Sequence, residues 1–243
     1  MDVHAVIVTG VSRGLGEALG VALLARGATV LGLGRTSSGR LGGERYRFIR
    51  CDLTDAGGIE RAVSPALAEL AALPLRAVTL INNAAVATPL GVTVSVDVDA
   101  AQAAFATNVI APLALTALFI RSFPEAIERR VLNISSGAAQ SAIPGSAVYC
   151  ASKAALEMLT RVTAADHVSP RFRCIALRPG IFETEMQSLL RSQDPALFPS
   201  AGIFRGYKES GVLKDAAAVA TRIVERLVAA PVDHGRIYNP TDL

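Results

Sequence analysis

At 243 residues, with 51% hydrophobic and 19% charged content, the chain is long enough for one large α/β domain or two small ones and too apolar for disorder. Its 24 basic and 21 acidic residues leave a net charge of +3 with no basic run, which speaks against a nucleic-acid or membrane-surface partner. Cys51, Cys150 and Cys174 form an odd set without CxxC or zinc spacing, which argues against a disulfide framework or a metal and suits a reducing cytoplasm.

The chain opens Met1-Asp2-Val3-His4 with no basic leader or cleavage site, so no targeting segment is expected. Residues 5–9, Ala-Val-Ile-Val-Thr, read as a strand buried on both faces. Gly10-Val11-Ser12-Arg13-Gly14-Leu15-Gly16 follows, and then a helical pattern over residues 17–26. Strand, glycine loop and helix start are the order a phosphate cradle requires: glycines let the backbone approach a pyrophosphate, and free N–H groups at the helix start face its charge.

A second strand, residues 28–33, runs into Gly34-Arg35-Thr36-Ser37. An acid there would hold a ribose 2′-hydroxyl, whereas a base suits a 2′-phosphate. The residue present is Arg35, and with Arg13 in the glycine loop two guanidinium groups are expected to converge on one phosphate, favouring NADP(H) over NAD(H). A third strand, residues 46–50, ends at Asp52 and Leu53. Asp52 is placed to accept from an adenine amino group, and Thr54 or Asp55 to cap the helix over residues 58–73.

A fourth strand, residues 77–81, leads to Asn82-Asn83-Ala84-Ala85, small and amide residues that leave room for a flat ligand. The long helix over residues 99–121 carries Asn108 among apolar neighbours, either as a structural pin or as part of a polar network reaching a site. Within it the longest apolar stretch, residues 109–120, contains Pro112 and falls short of the about 20 residues a membrane span needs. A fifth strand, residues 131–134, ends in Ser135-Ser136-Gly137, and a loop over residues 140–146 enters the helix bearing Tyr149 and Lys153.

Four residues apart on a helix, Tyr149 and Lys153 share a face, so the ammonium can sit beneath the ring and draw the phenol's pKa of about 10 toward neutrality. Such a phenol can give a proton to a carbonyl oxygen. A sixth strand over residues 172–177 leads to Arg178-Pro179-Gly180-Ile181-Phe182-Glu183-Thr184. A last long helix over residues 213–228 and a short strand over residues 235–238 close the chain.

Strands alternating with helices, with no linker or repeat, imply one doubly wound α/β domain over residues 1–243: a Rossmann fold with a seven-stranded parallel sheet and helices on both faces. Gly10, Asp52, Asn83, Ser136 and Pro179 all fall at carboxyl ends of strands, where the ligand crevice of such a sheet lies.

Taken together, Thr9-Gly10-x3-Gly14-x-Gly16, Asn82-Asn83-Ala84-Ala85, Asn108, Ser136, Tyr149-x3-Lys153 and Pro179-Gly180 resemble the short-chain dehydrogenase/reductase family, in its order and at its spacings over nearly the whole chain. Ala85 departs from the glycine usual in the family's tetrad. The resemblance implies a catalytic set in which Tyr149 is the general acid/base, Lys153 lowers its pKa and holds the nicotinamide ribose, Ser136 orients the carbonyl and Asn108 keeps a relay water. Ser136, thirteen positions before Tyr149, fits the family's spacing better than Ser135. The implied NADP(H) site comprises Gly10, Ser12, Arg13, Gly14, Leu15, Gly16, Arg35, Thr36, Asp52, Leu53, Asn83, Ala84, Ala85, Tyr149, Lys153, Pro179, Gly180, Ile181, Phe182 and Thr184.

A lid over about residues 183–212, with a Lys208-Glu209-x-Gly211-x-Leu213 run, resembles the sepiapterin reductase and bacterial benzil (1,2-diketone) reductase branch. Phe182, Met186, Leu190, Phe198 and Phe204 either line a pocket for a bulky diketone or pack the lid onto the body. A pterin also calls for a carboxylate near the C-terminus, where the tail offers Asn239 and Asp242. The expectation is a cytoplasmic NADP(H)-dependent reductase of a small ketone or diketone, acting as a homodimer or homotetramer. The alternatives are an alcohol dehydrogenase working oxidatively and a non-catalytic NADP-sensing regulator.

Overall fold

The computed structural model describes residues 3–243; Met1 and Asp2, on which the leader expectation partly rests, lie outside the described residues. Seven strands form one parallel sheet: β1 (Val3–Thr9), β2 (Thr29–Gly34), β3 (Tyr46–Arg50), β4 (Leu75–Asn82), β5 (Glu128–Ile134), β6 (Phe172–Leu177) and β7 (Ile237–Tyr238). Their order is β3-β2-β1-β4-β5-β6-β7, with the direction of winding reversing between β1 and β4. All strand carboxyl ends therefore share one edge, and the crevice opens where the crossovers diverge.

Side chains alternate across each strand and separate two cores. Ile7, Leu33, Leu80, Val131 and Cys174 face one side with α2 (Ala56–Ala71), α4 (Ala111–Ser122) and the end of α5 (Ala147–Asp166), while α3 (Val98–Phe105) precedes α4 in the chain. Val6, Val8, Ile81, Leu132 and Ile175 face the other, against α1 (Gly14–Ala25) and α8 (Ala216–Ile223). Two shorter helices, α6 (Glu185–Arg191) and α7 (Ala201–Glu209), lie in the segment expected as a lid.

Several boundaries depart from the sequence expectation for local reasons. Helix α2 begins two residues early because Asp55 caps it, accepting from Gly58 N at 2.9 Å. Helix α8 starts at Ala216 because Asp215 caps it, and it passes into a π turn, Val224–Val228. A second π turn, Ala106–Ile110, joins α3 to α4 and contains Asn108.

The resulting helical segment Val98–Ser122 is 25 residues long and, by length and composition, sufficient to cross a membrane. Residues 109–120 alone are too short to span a bilayer, but the whole segment is not. Half of its apolar window is instead buried in the fold, with Ala111, Leu115, Leu118 and Phe119 packed in the first core.

Candidate active site

The glycine loop is set by contacts that only glycine permits. Gly10 and Gly14 have φ of +74° and +59°, in the left-handed region. A Cβ on Gly16 would lie 2.1 Å from the Gly10 carbonyl oxygen and 2.5 Å from Asn83 Nδ2, so the loop folds back against α1 and the end of β4. Thr9 holds that junction: its Oγ1 accepts from the backbone N–H groups of Asn83 and Ala84, each at 2.9 Å. Asn83 Nδ2 in turn donates to the Thr9 carbonyl at 2.9 Å. Asn83 thus acts as a clamp between β1 and β4, and Thr9, quoted in the motif but given no role, is its necessary partner. Ser12 is half-buried beside the loop, and Leu15 points into the second core, leaving its backbone for any ligand.

Arg13 pairs with Glu185 at the start of α6, both side chains about two-thirds exposed. Arg35 and Thr36 stand exposed after β2. Asp52 is exposed at the end of β3, where Oδ1 accepts from Thr54 N at 2.9 Å and Thr54 Oγ1 at 2.8 Å; these bonds hold its carboxyl below the usual range, with Arg35 adding a smaller pull. Leu53 is buried in the first core.

Asn108 is buried at 1% exposure and both its amide protons are committed. Nδ2 donates to Val86 O at 2.9 Å and to Ser152 Oγ at 3.0 Å, and Oδ1 accepts from Val86 N at 2.9 Å. These bonds pin the segment after Ala85 against α5 and reach Ser152, next to Lys153. Ser152, unassigned in the sequence reading, is the hydroxyl Asn108 meets; its place just before Lys153 was the available signal.

The two serines diverge as a strand's pleat requires. Ser135 Oγ turns inward and donates to Glu157 Oε1 at 2.7 Å, whereas Ser136 begins a short 3-10 turn, Gly137–Ala139, its Oγ accepting from Ala138 N at 3.2 Å. The Ser136 hydroxyl is also close enough to the Tyr149 phenol to act on its proton.

Burial drives the Tyr149 phenol upward, and the Ser136 hydroxyl opposes it. Lys153 Nζ lies over the Tyr149 ring, 5.7 Å from its centroid, as the four-residue spacing implies, and it donates to Ile134 O at 2.8 Å. Burial lowers the Lys153 pKa to about 8. Burial is the leading cause of both shifts.

After β6, Pro179 is buried and Gly180 has φ +85°, with Pro240 packed where its side chain would be. Ile181 O accepts from Lys214 N at 3.3 Å and Glu183 N donates to Lys214 O at 3.0 Å, so both ends of the lid are joined by one bridge that includes Phe182. Thr184 caps α6, accepting from Gln187 N at 3.3 Å, and its methyl lies against Gly14. Glu183 binds Arg191 at 2.7 Å and Lys208 at 2.8 Å, stapling α6 to α7, and those bonds hold its carboxyl low.

Of the lid's apolar residues, Leu190, Phe198 and Phe204 are buried within it, and Phe182 joins the second core, which is the packing role. Leu90, Ile143, Met186 and Tyr207 stay partly exposed around them in the cluster that also contains Tyr149. In the tail, Asp242 accepts from Arg236 at 2.9 Å and from Asn239 N at 2.7 Å, so its carboxylate is already engaged.

The cradle's close glycine contacts, an arginine after β2 and hydroxyl groups beside a buried amine fit a nicotinamide dinucleotide. The profile of the short chain dehydrogenase family matches residues 4–195. A benzil reductase ((S)-benzoin forming) of Bacillus subtilis is 31% identical, covering 96% of each chain. A sepiapterin reductase of Xenopus tropicalis is also 31% identical, over 92% of this chain and 90% of its own. A blue fluorescent protein from a metagenomic library, solved in complex with NADPH, superposes with TM-score 0.77 at 25% identity, over 98% of this chain and 96% of its own. The sheet order, the glycine cradle and the Ser136, Tyr149 and Lys153 cluster thus meet the sequence comparisons at one conclusion: the chain belongs to the short-chain dehydrogenase family of oxidoreductases, which use nicotinamide cofactors.

Proposed function

We propose that this protein is an NADPH-dependent carbonyl reductase acting on a small ketone or 1,2-diketone. The observation that carries the reading is the placement of Ser136 beside Tyr149, with Lys153 one turn further along the same helix. The Gly10–Gly16 loop, Arg35, Asp52 and the Pro179–Thr184 turn would hold NADPH, which would supply the hydride. Two hydroxyl groups then meet the substrate's oxygen as negative charge builds on it, and Tyr149 transfers its proton to that oxygen. A high phenol pKa keeps Tyr149 protonated at neutral pH, the form a proton donor needs. Lys153 contributes a cation that favours the phenolate left behind. Asn108 holds the Val86 segment and α5 in register; a relay water would use its backbone carbonyl or the second lone pair of Oδ1.

NADPH is favoured over NADH by Arg35 at the end of β2, where no acid stands, and by the NADPH complex of a solved neighbour. The half-exposed apolar cluster around Tyr149 suits a bulky diketone, and the matches to benzil and sepiapterin reductases support that class. Engagement of Asp242 by Arg236 favours a diketone over a pterin. The exposed Ile110 and Leu113 on one helical segment, and Met158 and Val162 on α5, suit self-association as a homodimer or homotetramer. The free thiols of Cys51, Cys150 and Cys174 suit a cytoplasmic setting.

The test is NADPH and NADH consumption against a panel of diketones, pterins and aldehydes. Turnover of a diketone with NADPH in preference to NADH is expected; no oxidation of either coenzyme across the panel overturns the reading.

A further inference from the structure

Behind the catalytic residues lies a buried charged group that the chemistry described above does not use. Arg178 follows β6 directly and is 7% exposed; Glu157 lies on α5, one turn beyond Lys153, and is 4% exposed. They form a two-point pair, Nε to Oε1 at 2.7 Å and Nη2 to Oε2 at 2.6 Å. Glu157 Oε1 also accepts from Ser135 Oγ at 2.7 Å. The remaining arm of the guanidinium, Nη1, donates to Gln140 Oε1 at 2.6 Å and to Asn239 Oδ1 at 3.1 Å.

These partners come from five parts of the chain. Ser135 adjoins Ser136 at the end of β5, Glu157 belongs to the helix of Tyr149 and Lys153, and Gln140 lies in the segment joining the two. Arg178 precedes Pro179 and Gly180, and Asn239 follows β7. A planar guanidinium with five donors in fixed directions meets four acceptor atoms here, more than the three N–H groups of an ammonium could serve. A buried ion pair is weak support for stability, since an apolar pair of similar volume often serves as well. What it does supply is a fixed geometry among the elements it joins.

We propose that Arg178 is a positioning residue for carbonyl reduction: through Glu157 and Ser135 it sets the strand end bearing Ser136 against the helix bearing Tyr149. Through Gln140 and Asn239 it anchors the intervening loop and the tail to the same point. The proposal rests on the functional reading above. It concerns the spacing of the two hydroxyl groups that meet the substrate's oxygen, and a displacement of about 1 Å there costs on the order of 100-fold in rate.

Removing one charge alone strands the other in the interior and threatens folding, so the informative variant is the double substitution Arg178→Met with Glu157→Leu. With a melting temperature near that of the wild type, it is expected to bind NADPH within about threefold of wild type while kcat on the best diketone falls about 100-fold. A folded double variant with wild-type kcat overturns the proposal. Ser135→Ala keeps the charge pair and gives a second reading should the double variant not fold: about a tenfold loss of kcat with unchanged NADPH affinity is expected, and unchanged kcat overturns the proposal. A wild-type protein that oxidises NADPH with no carbonyl defeats the functional reading instead, so the two failures are distinguishable.

Discussion

Lys153 Nζ donates to the carbonyl oxygen of Ile134 at 2.8 Å, so the buried amine hangs from the end of β5 while lying over the Tyr149 ring, 5.7 Å from its centroid. Burial lowers its pKa to about 8, against about 10.4 in an unfolded chain. Between those values the unfolded chain binds more protons than the folded one, so stability rises with pH across about 8 to 10.4. Below about pH 8 both states are protonated and the full cost is present. Lys153→Met is therefore expected to be more stable than wild type at neutral pH by about 2–3 kcal/mol, with the gap closing toward pH 10. Denaturant unfolding at several pH values measures it, and a gap independent of pH contradicts the assignment.

Gly16 touches both the Gly10 carbonyl and the Asn83 amide, so an alanine there must push the loop from the end of β4. Gly16→Ala is expected to cost about 1–3 kcal/mol of stability and to weaken NADPH binding more than tenfold. Titration calorimetry with NADPH checks it; unchanged affinity would show that the loop does not hold the coenzyme.

The Thr9 hydroxyl oxygen satisfies two backbone N–H groups at a residue that is 2% exposed. Thr9→Val keeps the shape and strands both donors, so it is expected to lose about 2–4 kcal/mol. Thermal and denaturant unfolding give the value, and a loss under about 0.5 kcal/mol would mean that those amides find other partners.

Arg35 carries the coenzyme preference in this account, since Arg13 is already paired with Glu185. Arg35→Asp is expected to weaken NADPH at least tenfold while NADH binding holds or improves. Fluorescence titration with both coenzymes checks it, and equal losses for the two would assign the 2′-phosphate to another group.

The seven-stranded parallel sheet and the crevice edge were legible in the sequence because each depends on local signals: β-branched runs ending in glycine, small residues past strand ends, helices between. Asp55 and Asp215 were harder to use, since a cap moves a helix start by two or three residues without altering the apolar pattern. The candidate site was legible as a set of positions but not as contacts. Nothing in the spacing of Tyr149 and Lys153 says that burial governs both groups, because burial depends on tertiary packing such as the lid cluster that Tyr149 joins. Arg13 meeting Glu185, and Arg178 meeting residues 21, 38 and 61 positions away, are pairings that only the tertiary fold makes. The lid's phenylalanines kept two meanings in the sequence because burial within the lid and exposure to a pocket call for the same side chains.

The phenol's role as proton donor is tested most directly by single-turnover NADPH oxidation with a 1,2-diketone in wild type and Tyr149→Phe, alongside NADPH binding by fluorescence. The account predicts a fall in rate of at least about 1,000-fold with coenzyme affinity within about threefold of wild type. A variant that keeps more than about a tenth of the wild-type rate would contradict it.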